Sequence, residues 1–417
     1  MIILHKAGRD TIPAGFRENG DYGVRKSNEM DYYKESLKLH EKSKGKWEMV
    51  PKVQLETKED LSLAYTPGVA QPCLEIERDS RMAYAYTNKW NSVAVATDGS
   101  AALGLGNIGA LAALPIMDGK AILFKEFGDI DAVPICVESQ DVDVIVETLA
   151  NIAPTFGGIN LEDISAPRCF EIEEKLQNRV NIPVFHDDQH GPAEGVIAAI
   201  INYCRLSGRK IEELEAAISG CGAAGTAIAR MLSFAGLKDI VICDSRGIIS
   251  PERSDLNDAK KGLCTITNKA GITGGLAEAV AGKDVFIGVS QPNVLTAEMI
   301  GTMNDNPAVF AMSNPEPEVD PQVAKAAGAF IIGTGRSDYP NQINNLLAFP
   351  GIFRGALDAR ATRVTREMKL AAAKAIAYTL KDDEVSTDMI IPSPLNENVG
   401  KNVAEAVAEA WRKNERD

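Results

Sequence analysis

The sequence predicts an α/β protein: two α/β domains, the second a Rossmann-type doubly wound parallel sheet, followed by C-terminal helices. Three observations predict this. Short runs rich in Val, Ile and Ala alternate with helical stretches through most of the chain, and strands joined by helices of about ten or more residues imply parallel sheets covered on both faces. Two glycine-rich loops each stand between an apolar run and a helical stretch. Beyond Pro350 the apolar spacing is helical only.

Taken in order, residues 1–29 are polar and rich in glycine and charge, with no helical period, and read as a flexible leader. Residues 30–191 form the first α/β domain. It opens on a charged amphipathic helix over 30–48 and a polar linker, and then carries strands at 92–97, 121–124, 132–137 and 182–185 with helices at 142–153 and 169–180. A bridging helix over 192–206, with Pro192 at its first position and Gly208 past its end, marks the domain boundary. Residues 192–350 form the second domain, with strands at 216–219, 240–243, 285–289, 309–312 and 330–332. Residues 351–417 supply two helices, 365–380 and 398–412, that pack back on the body.

Composition narrows the function. The chain has 417 residues, 58 acidic against 44 basic, and a formal net charge of -14, a balance that disfavours nucleic acid and anionic membranes as partners. No apolar run approaches the roughly 20 residues that span a bilayer. The seven cysteines are widely spaced and lack any C-x-x-C pair, so reduced thiols in a cytoplasm are expected.

Gly104, Gly106 and Gly109 fit G-x-G-x-x-G, and so do Gly220, Gly222 and Gly225. Only the second has the full context: strand 216–219, helix 226–234, strand 240–243, then Asp244, which stands 19 residues past Gly225. Such a loop lets backbone amides and a helix N-terminus meet a pyrophosphate, and the carboxylate meets a ribose. Asp244 favours NAD, whereas Arg246 offers a charge for the 2′-phosphate of NADP. The first loop reads as a backbone turn near the substrate, because the strand expected after it ends in Lys125 and Glu126.

Two acidic doublets, Glu162-Asp163 and Asp187-Asp188, come after apolar segments where parallel strands end. They are either hard oxygen ligands for Mg²⁺ or Mn²⁺, or solvated loop residues and helix caps. His186 and His190 sit in a turn before the bridging helix and suit hydrogen bonding better than ligation. Lys120 enters an apolar strand, where desolvation lowers a lysine pKa, unless it is a surface lysine. Tyr65 precedes a turn and reads, unaided, as a core tyrosine with one hydrogen bond.

Taken together, SLAYTPGVAQPC, TDGSAALGLGNIG, GKAILFKEFG, INLEDISAPRCFEIE, PVFHDDQHG, SGCGAAGTAIARML, AMSNPEPEV and NQINNLLAFPG resemble, in that order, the malic enzymes of the small bacterial type. The resemblance implies oxidative decarboxylation of L-malate to pyruvate, with NAD or NADP and a divalent ion, in a homodimer. It further implies Tyr65 as general acid, Lys120 as general base, and Glu162, Asp163 and Asp188 as ligands of Mg²⁺ or Mn²⁺, with Asp187 beside those ligands among the catalytic residues. Gly220, Cys221, Gly222, Ala223, Ala224, Gly225, Asp244, Ser290 and Asn314 would contact the dinucleotide, and Asn314 and Asn345 the substrate.

Three departures stand out. Ala101 replaces an arginine that helps hold malate in larger members, leaving Asn314, Asn345 or Arg168 for that task; Cys221 brings a thiol into the cofactor loop, where it would make the enzyme sensitive to oxidation; and Pro192 replaces a threonine, which is expected to mark a helix start. Alternatives within the fold are a malate-to-lactate or oxaloacetate-decarboxylating enzyme, and from another class a non-catalytic nucleotide sensor.

Overall fold

The computed structural model describes residues 31–102 and 104–415; the expected leader lies outside them. Residues 31–46 belong to a unit of their own, in which α1 (Tyr32–Ser43) is capped by Asp31 and buries no side chain. The second unit begins at Trp47. Helices α2 (Lys58–Ala64), α3 (Ala70–Arg78) and α4 (Ala83–Tyr86) lead into it and also bury nothing.

β1 (Ser92–Thr97), α5 (Ala110–Gly128), β2 (Asp131–Cys136), α6 (Val142–Ile152), β3 (Gly158–Leu161), α7 (Arg168–Arg179) and β4 (Val184–His186) then build a parallel four-stranded sheet in the order β2-β1-β3-β4. Every residue of central β1 is buried, as a strand covered on both faces requires. α6 starts where the Asp141 side chain accepts from Val144 N at 3.0 Å, a cap that contributes about 1 kcal/mol.

α8 (Asp187–Ser207) crosses to the second sheet, made by β5 (Glu215–Ser219), α9 (Ala223–Phe234), β6 (Asp239–Asp244), β7 (Gly247–Ile248), α10 (Asp258–Leu263), α11 (Leu276–Val280), β8 (Val285–Gly288), α12 (Ala297–Ile300), β9 (Ala308–Ala311), α13 (Pro321–Ala326) and β10 (Ile331–Thr334). Its order is β10-β9-β8-β5-β6-β7, parallel except for the antiparallel edge β7. α14 (Phe349–Asp358), α15 (Arg366–Tyr378) and α16 (Glu397–Asn414) complete the chain. α14 closes on the first sheet through Phe349 and Phe353, whose rings lie 4.7 and 5.3 Å from that of Phe124, while Phe185 meets Phe353 at 5.9 Å. No helix among the described residues is long and apolar enough to cross a membrane.

Three expectations need correction. Residues 121–124 are not a strand but part of α5, whose buried positions Ala110, Ala113, Met117, Lys120 and Phe124 recur every three or four residues; a four-residue apolar run after Gly119 cannot by itself separate strand from helix. The strand that comes after the first glycine loop is therefore β2, which ends in Cys136 rather than in Lys125 and Glu126. The crossing helix begins at Asp187, and Pro192 lies inside it. Gly191, which with Pro192 suggested a break, is instead needed for close packing: a Cβ there would stand 2.7 Å from Asp187 Oδ1 and 2.8 Å from Asn345 Cγ.

Candidate active site

Strand register brings the two acidic doublets together. β3 pairs with β4 so that Leu161 lies opposite His186, and Glu162-Asp163 and Asp187-Asp188 leave the sheet side by side at its carboxyl edge, where parallel sheets bind ligands. Ligand oxygens of Glu162, Asp163 and Asp188 lie within 4.8 Å of one another. Asp163 takes a left-handed φ of 54°, which Asp tolerates better than most residues, and its N–H donates to Asp188 Oδ2 at 2.7 Å.

Crowding three carboxylates, those of Glu162 and Asp163 buried and that of Asp188 partly so, has an electrostatic consequence. Burial, then the charge of Asp188, pushes the Asp163 pKa up to about 7, and burial raises Glu162 and Asp188 as well. Asp163 Oδ2 is buried without a hydrogen-bond partner among the described residues. A hard divalent cation would relieve the repulsion and fill that valence, so the donor set fits Mg²⁺ or Mn²⁺.

Lys120 reaches this cluster from α5. Its Nζ lies 2.9 Å from Glu162 Oε1 and 2.5 Å from Asp187 Oδ2, and 4.0 Å above the Phe349 ring. Asp187, fully buried, also accepts from Asn345 Nδ2 at 2.9 Å. Burial alone would lower the Lys120 pKa, as the sequence suggested, but Asp187 and Glu162 outweigh it and hold the proton above the ordinary lysine range.

The other expected site residues fall in different places. Tyr65 ends α2 with its side chain 67% exposed, so it is not a core tyrosine, and among the described residues it makes no hydrogen bond to the Lys120 cluster. Arg168 is committed elsewhere: it pairs with Asp98 at 3.1 Å and bonds the Gln140 carbonyl and Ser165 Oγ. Of the three candidates for the missing arginine, Asn345 alone touches the cluster. His190 lies on α8 rather than in a turn, bonded to Glu173, while His186 is fully buried with its Nε2 3.8 Å from Asp188 Oδ2.

The second glycine loop sits where the chain switches direction across its sheet, between β5 and the strands β6 and β8 that flank it. Gly225 must be glycine, because a Cβ would meet Gly220 O at 1.9 Å. Cys221 to Ala224 run from the loop into the first turn of α9, whose N-terminal amides suit a phosphate. Ser290, after β8, bonds the Ser219 hydroxyl at 2.8 Å, and its N–H is held by buried Glu318 Oε1 at 2.8 Å. Glu318 Oε2 accepts from Ser313 N at 3.1 Å, which places Asn314 at the same edge. Asp244 ends β6 as expected but is enclosed by Arg253 and Lys260.

Sequence reasoning missed Glu173, Glu194, Asn160, Arg253, Lys260, Glu318 and Lys369. Glu194 on α8 is fully buried, neither oxygen has a hydrogen-bond partner among the described residues, and burial pushes its pKa up to about 8. Asn160 Nδ2 steadies Glu162 Oε2 at 2.9 Å. A charged residue at a helical core position, such as Glu173 or Glu194, was the one available signal.

The chain matches the model of the malic enzyme N-terminal domain over residues 44–177 and of the malic enzyme NAD binding domain over 190–412. It is 52% identical to the bifunctional malic/malolactic enzyme of Bacillus subtilis, covering 91% of this chain and 93% of that one. Against the NAD-dependent malic enzyme of Geobacillus stearothermophilus the identity is 50%, covering 88% and 76%. The NADP-dependent malic enzyme of Escherichia coli matches as well, at 48% identity over 88% of this chain but only 50% of its own length. The crystal structure of malic enzyme from Pyrococcus horikoshii superposes with a TM-score of 0.89 at 49% identity, covering 92% of this chain and 91% of that one. With both family domains matched in order and identity near one half along nearly the whole length, the chain belongs to the malic enzyme family.

Proposed function

We propose that the chain converts L-malate to pyruvate and CO₂ with reduction of NAD or NADP. The observation that carries this reading is Lys120 held between Glu162 and Asp187 at the edge of a three-carboxylate cluster, with a dinucleotide loop at the carboxyl edge of the next sheet.

Each residue has a task in this reading. Glu162, Asp163 and Asp188 hold Mg²⁺ or Mn²⁺. When bound, the ion would supply electron withdrawal at the substrate's C2 oxygen and the nicotinamide an acceptor for the C2 hydride. A cation on these carboxylates would offset the charge that holds the proton on Lys120 and favour its neutral amine, and Lys120 Nζ, positioned by Asp187, then takes the C2 hydroxyl proton. After C4 leaves as CO₂, the Tyr65 hydroxyl protonates C3. Asn345 and Asn314 contact the substrate. Gly220 to Gly225, Asp244, Ser290 and Asn314 line the dinucleotide, which assigns 30–191 to substrate and ion, 192–350 to cofactor, and 351–417 to the helices behind them.

The surface bears on partners. Leu61, Leu63 and Leu74 are exposed on helices that bury no side chain, and Trp90, Leu111 and Leu114 are exposed as well, apolar side chains that suit a second copy of the chain. A homodimer is expected in sedimentation velocity at micromolar concentration, and a monomer would contradict it. The seven unpaired cysteines fit a reducing cytoplasm.

The test is to supply L-malate and Mn²⁺ with NAD or NADP, monitor the absorbance of the reduced nicotinamide, and quantify pyruvate and lactate. Pyruvate in step with reduced cofactor is the expected result. The name of the B. subtilis relative favours one second reading, conversion of malate to lactate with the cofactor recycled; lactate without net reduction would establish it.

A further inference from the structure

α8 carries Asp187 and Asp188 in its first turn, yet the helix has no side-chain cap of its own. The carboxylate of Glu173, on α7, stands in that place. Glu173 Oε1 accepts from the backbone N–H of His186 at 3.0 Å, Oε2 accepts from Gln189 Nε2 at 3.1 Å, and both oxygens lie near His190 Nε2, at 2.9 and 3.1 Å. These contacts fall on residues 186, 189 and 190 and so bracket Asp187 and Asp188 from both sides. Lys369 Nζ, from α15, lies 3.1 Å from His190 Nδ1 and 3.2 Å from His190 Nε2, beside the same ring.

Each link restricts a different freedom. The bond to His186 N fixes where β4 ends and the helix starts, while the bonds to Gln189 and His190 fix the helix's rotation about its axis. Rotation decides whether Asp188 faces Glu162 and Asp163 or turns away from them. Glu173 is only 7% exposed, so water cannot easily replace it as acceptor.

We propose that Glu173 is a positioning residue for the divalent ion: by clamping the first turn of α8 it presets Asp188 against Glu162 and Asp163 before the ion arrives. The inference rests on the reading that these three carboxylates hold the ion. Partners that orient ligands in this way typically change ion affinity by about 10- to 100-fold when removed. The clamp acts on binding, not on any proton transfer.

The test is Mn²⁺ binding to the full chain without malate or nucleotide, read from loss of the free-ion electron paramagnetic resonance signal. Glu173→Gln keeps one acceptor oxygen and is expected to weaken binding by about tenfold; Glu173→Ala, if it folds, by about 100-fold. Leu176→Ala, in the core face of the same helix, is the stability control and is expected to lower Tm while leaving Mn²⁺ affinity within about twofold. Glu173→Gln binding Mn²⁺ like wild type overturns the clamp, as does Leu176→Ala weakening it equally. Asp188→Asn separates the two readings. If it too binds like wild type, the ion site itself is misassigned and both readings fall; if it is impaired while Glu173→Gln is not, only the clamp falls.

Discussion

Arg253 grips Asp244 with both arms, Nη1 to Oδ1 at 2.8 Å and Nη2 to Oδ2 at 3.0 Å. Lys260 Nζ adds a bond to Oδ2 at 2.6 Å and Arg246 N one to Oδ1 at 2.9 Å. A carboxylate offers about four acceptor sites, so Asp244 has none left for two ribose hydroxyls. Its charge is also met by two cations, which removes the repulsion that would exclude a 2′-phosphate. The expected outcome is that NADP serves at least as well as NAD. Arg253→Ala should then lower kcat/KM for NADP by about tenfold or more relative to NAD, since a bond to a charged group contributes about 1.5–3 kcal/mol. A strong NAD preference in wild type, measured side by side under saturating malate, would show that Asp244 lets go of its cations for the ribose.

The same cluster predicts an acid limb in stability. Burial works against the Asp244 charge, but the bonds from Arg253 and Lys260 prevail and hold its pKa at about 2, below the 3.8 of a free aspartate. A carboxyl depressed on folding stabilises above its unfolded pKa, and the contribution fades as pH falls through the folded one. Asp244→Asn should therefore melt below wild type at about pH 5, with the gap narrowing by about pH 3. A gap that is constant across that range would mean the ion pairs do not survive in solution.

Tyr65 offers a clean separation of chemistry from stability. Its side chain is 67% exposed and has no hydrogen bond among the described residues, so Tyr65→Phe should leave Tm within about 1 °C. If the hydroxyl protonates C3, kcat should fall by about 10²- to 10⁴-fold. Wild-type turnover in Tyr65→Phe would remove the tyrosine from the mechanism.

The legible parts of this site are those that depend on one element's ending. Glu162-Asp163 and Asp187-Asp188 each come directly after an apolar segment, and parallel strands deliver the residues at their carboxyl ends to one edge of the sheet, so the meeting of the doublets could be anticipated. Gly220 to Gly225 and Asp244 were legible for the same reason. Lys120 was found as a residue but placed on the wrong element, because AILF after a glycine fits strand and helix alike. Its electrostatics then came out with the wrong sign, since the two carboxylates that fix it belong to other elements. Arg253 and Lys260 stand nine and sixteen residues after Asp244, on a loop and a short helix, and no local pattern says that they fold back on it. Glu173 stands on the stripe of α7 that also carries Cys169, Ile172 and Leu176, so its burial could be read, but its partners at the start of α8 could not, since they belong to another element.

Thiol reactivity is the last expectation that the structure revises. Cys221 in the cofactor loop invited a redox role, yet burial raises its pKa despite a contact from Thr226 Oγ1 at 4.0 Å. Burial likewise lifts Cys169 and Cys243 to about 12 and Cys204 to about 11. The reactive species is the thiolate, so these four should be slow toward Ellman's reagent at neutral pH. Cys73 on α3 is exposed and should react first. The fast phase should disappear in Cys73→Ser, and neither NAD nor NADP should alter its rate. A fast phase that persists in that variant and is suppressed by nucleotide would instead identify Cys221, and would restore the thiol as a point of oxidative control over cofactor binding.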